Sequence, residues 1–218
     1  WLIRGMAQGE VVTFPWSAAV NSAWISFAGA VLTVAAAVPI AVVAARYRSR
    51  TWELVEKVAY AGYALPGIVV ALSLVFFGAR WGGPFYQTFG MLLFAYVVLF
   101  LPQAIGAIKA SLQQVSPNME NVARSLGCSP LRVLLFVTLP VAWSGAKAGG
   151  ALVFLTAIKE LPATLLLSPI GFRTLATETW SLVSEAFYAR AAAPALLLVA
   201  VSSLSLLILL RGEPSARP

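Results

Sequence analysis

Apolar residues run through this chain in long blocks. A helix needs roughly 17 to 25 residues to cross a bilayer, and about five blocks are long enough. They lie near Ala18 to Ala45, Tyr60 to Phe77, Phe89 to Ile108, Val141 to Ile158 and Ala191 to Leu210. This pattern predicts an all-α, polytopic membrane helical bundle. Pro39, Pro66 and Pro102 fall in or near spans, where neighbouring helices can re-satisfy the carbonyls a proline frees. The stretch TWELVEKVAYAGY, residues 51–63, is amphipathic, with Trp52, Val55, Val58 and Ala59 on one side. It reads as an interfacial lead-in to the second span.

Composition sharpens this picture. Hydrophobic residues make up 60% of the 218 and charged ones only 11%. The mean hydropathy is +0.86, so most of the surface cannot face water. His and Asp are both absent, which removes most metal-ligand and triad chemistry. The lone Cys128 excludes an internal disulfide and any C-x-x-C site. A net charge of +7 fits basic cytoplasmic loops and anionic lipid, not nucleic acid.

Orientation follows from the basic residues. Arg46, Arg48 and Arg50 close the first span and place that end in the cytoplasm. Alternation then puts the 109–132 loop and the tail with Arg211 and Arg217 on the same side. The loop GARWGGPFYQ, 78–87, and residues 159–190 face outside, although they hold Arg80, Lys159, Arg173 and Arg190. An odd number of spans places the N-terminus outside. The chain opens WLIRGMAQGE, with no Met and no signal-peptide pattern. The expectation is a piece of a longer polypeptide with an earlier span before Trp1. Residues 1–16 read as a periplasmic lead-in, 17–211 as the transmembrane domain and 212–218 as a cytoplasmic tail.

Between the third and fourth spans lies NVARSLGCSPLRVLLFVTLP, residues 121–140. Ser116 and Pro117 form a helix start, with Met119, Val122, Ala123 and Leu126 as one apolar stripe. Glu120 and Arg124 form an i,i+4 pair on the other side. Gly127 stops the helix as a left-handed residue, and Ser129–Pro130 start a second helix that runs to Leu139–Pro140. The loop is thus two short helices about a glycine corner. Its stripe has no core of its own. It lies on the membrane surface, or packs on its own bundle, or docks a soluble partner.

This stretch resembles the cytoplasmic EAA loop of binding-protein-dependent ABC transporter permeases. The family pattern is E-A-A, three residues, G, nine residues, I, one residue, L-P. Val122 and Ala123 stand at its alanine positions, Gly127 at its glycine, Val137 at its isoleucine, and Leu139 and Pro140 close it. Asn121 takes the glutamate position, with Glu120 one residue earlier. The first span, with Asn21, Ser22, Ser26, Ala30 and Pro39, and ALPGIVVALSL in the second resemble core spans of the same permeases. The resemblance implies a type I ABC importer permease (MetI-like) fold with a coupling loop over about residues 110–140. Met119, Glu120, Asn121, Val122, Ala123, Arg124, Leu126, Gly127, Leu139 and Pro140 are the implied ATPase-coupling residues. It further implies a cytoplasmic dimer of ATP-binding subunits, a second permease unit (fused or separate), a periplasmic binding protein and a bacterial inner membrane location. ATP and Mg belong to the partner subunit. This chain carries no G-x-x-x-x-G-K-[ST] and is expected to hold neither cofactor nor catalytic residue.

AIKELPATLLLSPIGFRTLATETWS, residues 157–181, carries the second candidate site. Lys159 and Glu160 end the fourth span, and Pro162 breaks the helix. One reading is a solvated Lys–Glu pair at a helix end. The other places Lys159, Glu160 and Pro162 at the translocation path or outer gate, because ionisable groups at membrane depth are costly and often functional. The next segment then dips back or forms a short helix before the last span. The stretch resembles the ferric iron branch of the family, often two fused permease units, of which this is similar to the second. Oxygen donors suited to a hard Fe(III) ion are scattered over Glu160, Glu178, Glu185, Tyr86 and Tyr188. That suits a weak path whose substrate is bound tightly elsewhere. Relatives for thiamine, phosphonates, sulfate, molybdate or polyamines share the scaffold. A secondary transporter would need midplane ionisable groups, for which Lys147 and Lys159–Glu160 are the candidates. A membrane enzyme would need a convergent acid–base set, and none is evident.

Overall fold

The computed structural model describes residues 1–7, 13–46, 50–114 and 118–212. The expected helix start at Ser116–Pro117, the basic Arg48 and the tail from 213 with Arg217 lie outside the described residues. The helices are α1 (Leu2–Ala7), α2 (Trp16–Arg46), α3 (Arg50–Ala64), α4 (Gly67–Trp81), α5 (Phe89–Gln113), α6 (Asn118–Ser125), α7 (Pro130–Val133), α8 (Leu139–Ala157), α9 (Pro162–Leu167), α10 (Leu175–Ser184) and α11 (Tyr188–Gly212). A π-helical turn, Leu134–Thr138, joins α7 to α8. No strand occurs among the described residues.

Four helices are long and apolar enough to cross a membrane: Trp16–Arg46, Phe89–Gln113, Pro130–Ala157 and Tyr188–Leu207. The pair α3 and α4 makes a fifth if counted as one broken span. Two expected boundaries change. The span placed at Tyr60 to Phe77 is interrupted, because α3 runs on to Ala64 and α4 starts at Gly67. Pro66 drives its predecessor Leu65 out of the helical region, and the break follows. The second helix of the 121–140 loop does not stop at Pro140. It continues through the π turn into the fourth span, giving one helical run from Pro130 to Ala157. Pro140 lacks an N–H and its ring would crowd the carbonyl one turn back. The turn before it is wound wider, with the Leu139 N–H bonded to the Leu134 carbonyl five residues back, so the proline is carried inside the helix.

The chain divides into two compact units. The first comprises Trp1–Gly29, Gly67–Ala95 and Phe154–Pro218. Its core holds Ile25, Met91, Leu92, Ile158, Leu167 and Leu175, each 2% exposed or less. Helix α4 packs on α9, and α11 packs on both α10 and α1. Trp24, Phe89 and Phe172 form an edge-to-face aromatic trio with ring centroids 5.0 to 5.9 Å apart.

The second unit comprises Ala30–Pro66 and Tyr96–Val153. Tyr96, Ile105, Ile108, Leu112, Val133 and Val153 are buried in it. Helices α5 and α8 come into backbone contact through small residues. A Cβ on Gly145 would lie 2.7 Å from the Ala107 carbonyl oxygen and from Ile108 Cα, and one on Gly149 would lie 3.2 Å from Ala107 Cβ. Close approach of this kind replaces hydrophobic driving force between helices in lipid. Ser111 Oγ donates to the Val141 carbonyl at 2.9 Å across the same contact. Lys109 on α5 pairs with Glu56 on α3.

Candidate functional site

Helix α6 ends as its sequence predicts. Gly127 has φ +84°, the Gly127 N–H bonds the Arg124 carbonyl at 3.0 Å, and the Cys128 N–H bonds the Ala123 carbonyl at 3.1 Å. These two crossed bonds are the Schellman cap that a left-handed C′ residue closes. Ser129 then caps α7, its side chain accepting from the Arg132 N–H, with Pro130 in the first turn.

Met119, Val122 and Leu126 are 54%, 58% and 80% exposed. Of the three seats left open for the stripe, packing on its own bundle is therefore excluded for these residues. Asn121 and Arg124 are also exposed, Ala123 and Leu139 are half-buried, and Pro140 is exposed. The Asn121 carbonyl accepts from Ser125 Oγ at 2.9 Å.

The expected Glu120–Arg124 pair is replaced. Glu120 turns inward, and Oε1 lies 2.7 Å from Nε of Arg46 at the end of α2. The same oxygen accepts from Thr138 Oγ1 at 3.0 Å. The reason is electrostatic. An exposed i,i+4 pair is worth a few tenths of a kcal/mol, about 0.3–0.5, whereas a buried carboxylate needs a fully committed cation and donor. Neither Arg46 nor Thr138 was singled out for this role in the sequence, because nothing in it connects positions 46, 120 and 138.

In the other unit, Glu160 caps α9. Oε1 accepts from the Ala163 N–H at 2.9 Å, and Oε2 accepts from the Thr164 N–H at 2.9 Å and Thr164 Oγ1 at 2.8 Å. A solvated Lys159–Glu160 pair is therefore not what forms; Lys159 is exposed. Pro162 occupies the first turn of α9, where a missing N–H costs nothing. The segment after it makes two short helices, α9 and α10, before the last span.

This segment is fastened to the first half of α2. Ser22 Oγ accepts from the Leu175 N–H at 2.8 Å and donates to the Ala18 carbonyl. Asn21 Nδ2 donates to the Arg173 carbonyl at 2.9 Å. Thr174 and Thr177 form a reciprocal capping box on α10. The signal missed in the sequence was this Thr-x-x-Thr spacing just before an apolar turn. Gln87, Leu165, Ser168, Ile170, Arg173 and Ser181 are among the residues lining a cavity of about 350 Å³ here. Two of the other scattered oxygen donors have local partners: Glu178 pairs with Arg173 at 3.0 Å, and Ser181 Oγ donates to Glu185 at 3.4 Å. No group of three or more His, Cys, Asp or Glu that could hold a metal ion occurs among the described residues.

Comparison with known proteins bears on both sites. The family described as binding-protein-dependent transport system inner membrane component matches residues 37–217. The chain is 41% identical over 211 residues to the Fe(3+)-transport system permease protein FbpB 2 of Haemophilus influenzae, covering 96% of this chain and 42% of that one. It is 29% identical over 204 residues to PhnV of Salmonella typhimurium, named provisionally as a 2-aminoethylphosphonate transport system permease protein, covering 93% and 75% of the two chains. The chain thus spans less than half the length of its iron-transport relative. Among solved structures, inward-facing MetNI methionine ABC transporter superposes with TM-score 0.70 at 15% identity, over 89% of this chain and 94% of that one. An amino acid ABC transporter superposes with TM-score 0.63 at 21% identity, over 89% and 88%. The fold is that of these importer membrane chains.

Proposed function

Since the chain belongs to the family of binding-protein-dependent transport system inner membrane components, we propose that it is the transmembrane permease subunit of an ATP-driven importer whose solute is ferric iron. Residues 17–211 form the permease domain, 1–16 a periplasmic lead-in and 212–218 a cytoplasmic tail. The loop over about residues 110–140 lies on the cytoplasmic side and couples to a dimer of ATP-binding subunits. ATP and Mg are held there, and this chain catalyses no reaction of its own. A periplasmic binding protein delivers the solute, and a second permease unit, fused or separate, completes the path.

The observation that carries this reading is α6. Its apolar residues Met119, Val122 and Leu126 face away from the bundle while its carboxylate is held within it. An exposed apolar surface so arranged supports docking to another protein. Glu160, with Lys159 and Pro162 beside it, shapes the outer gate by fixing the start of α9 rather than by binding the ion itself. Likeness to the iron permease of Haemophilus influenzae supports the choice of substrate. Likeness to the phosphonate relative favours a second reading, in which the same machinery moves a phosphonate.

The test uses the native protein with its ATP-binding subunits and binding protein in liposomes. Radioactive ferric iron should enter only with ATP, while 2-aminoethylphosphonate and thiamine should not. Entry of the phosphonate alone would replace the substrate. Entry of nothing, with no ATP-binding subunit attached, would overturn the permease reading.

A further inference from the structure

Helix α6 has eight residues, and Glu120 is its one buried side chain. A helix of that length is not stable alone in water, so its position must be fixed from outside. The anchor is not an apolar contact but a carboxylate. Its partners belong to two other elements: Arg46 is the last residue of α2, and Thr138 closes the π turn that leads into α8. The Arg46 and Glu120 side chains are 9% and 11% exposed, and Thr138 is 3% exposed. An apolar contact tolerates sliding and rotation. A shared carboxylate oxygen paired with a guanidinium and bonded to a hydroxyl does not, because the hydroxyl bond is directional and a buried charge cannot lose its partner cheaply.

The chain links α6 to α8 through the Gly127 corner, α7 and the π turn. Toward α2 the backbone offers no such link, since α3, α4 and α5 intervene. The ion pair is a direct connection between α6 and α2. We propose that Arg46, Glu120 and Thr138 form a strut that transmits displacement of α6 to the ends of α2 and α8. Arg46 and Thr138 are positioning residues that act through Glu120. The proposal rests on the permease reading and adds to it how a movement imposed on the loop reaches the spans. The strut sets what moves with α6.

The test compares Arg46→Ala, Glu120→Gln, Thr138→Val and Arg46→Lys in the native protein, assembled with its ATP-binding subunits and binding protein in liposomes. Three quantities are measured: ATP-binding subunit recovered with the permease, ATP hydrolysed, and radioactive ferric iron imported per ATP. Arg46→Ala and Glu120→Gln should each lower iron per ATP about tenfold, the size of a typical coupling between sites. Recovery of the ATP-binding subunit should stay within about twofold, below that coupling range. Thr138→Val should have a smaller effect in the same direction. Arg46→Lys keeps a cation within reach of Oε1 and should recover most of the loss.

Unchanged iron per ATP in Arg46→Ala would overturn the strut. So would loss of the ATP-binding subunit in step with loss of import, since the pair would then only hold the loop's shape. A wild-type protein that imports no iron is a failure of the substrate reading, visible without any variant. The strut is then judged on stimulation of ATP hydrolysis by the binding protein, which Arg46→Ala and Glu120→Gln must lower.

Discussion

Glu160→Gln is the substitution whose cost follows most directly from geometry. The two carboxylate oxygens divide the work: one takes the Ala163 N–H, the other takes the N–H and hydroxyl of Thr164. Glutamine keeps the shape but offers one acceptor and replaces the other with an NH₂ donor. One backbone N–H in the first turn of α9 is then left facing a donor. Ala163 and Thr164 are both fully buried, so water cannot substitute. An unsatisfied buried donor costs about 2 kcal/mol, and loss of negative charge at the helix start adds up to roughly 1 kcal/mol. At about 1.4 kcal/mol per factor of ten, local opening of α9 should rise roughly 30- to 100-fold. Hydrogen–deuterium exchange on the purified protein in nanodiscs reads this from the peptide covering 160–168. Exchange there should accelerate by that factor while peptides from α5 stay unchanged. Equal exchange in variant and wild type would show that the carboxylate does not hold the helix, and would return Glu160 to a solvated role.

Gly127→Val places a β-branched residue at φ +84°, where an added Cβ meets no atom within 4 Å. Its cost is therefore backbone strain, about 1–2 kcal/mol, and ATP-driven uptake should fall about tenfold while thermal unfolding of the bundle barely shifts; full uptake would refute the corner's role. Met119→Asp and Leu126→Asp alter exposed residues, so they should leave folding intact and weaken ATP-binding subunit association about tenfold each, in the range of hot-spot residues. Unchanged co-purification would mean that this face meets lipid. Ser22→Ala orphans the Leu175 N–H and should lower stability in detergent by about 1–3 kcal/mol, read as a thermal shift absent in Ser73→Ala, whose hydroxyl bonds only its own helix.

Much of this was legible in the sequence because the relevant signals are local. The Gly127 corner and the Ser129–Pro130 helix start each depend on residues within one turn of each other, and both appear where the pattern places them. The second span was misjudged because hydropathy is continuous across Pro66, whereas the backbone there is not. The loop's second helix was cut short at Pro140 because a proline usually ends a helix; the π turn before it was not signalled by residue type. Long-range polar choices were the least accessible. Glu120 had a plausible neighbour at Arg124, and only the folded chain brings Arg46 and Thr138 to it. Glu160 likewise had Lys159 beside it in sequence, yet the carboxylate turns to the N–H groups that follow. The Gly145-x-x-x-Gly149 spacing was not picked out in the sequence, and its partner, Ala104 to Ile108 on α5, shows only in the fold.

The central claim is that α6 docks into an ATP-binding subunit. The most direct measurement places a photo-activated crosslinking amino acid at Leu126 in the assembled native transporter, with Phe76 on α4, also exposed in this chain, as a control. Docking of α6 predicts a covalent adduct with the ATP-binding subunit from position 126 and none from position 76. Adducts from position 126 with lipid alone would contradict it.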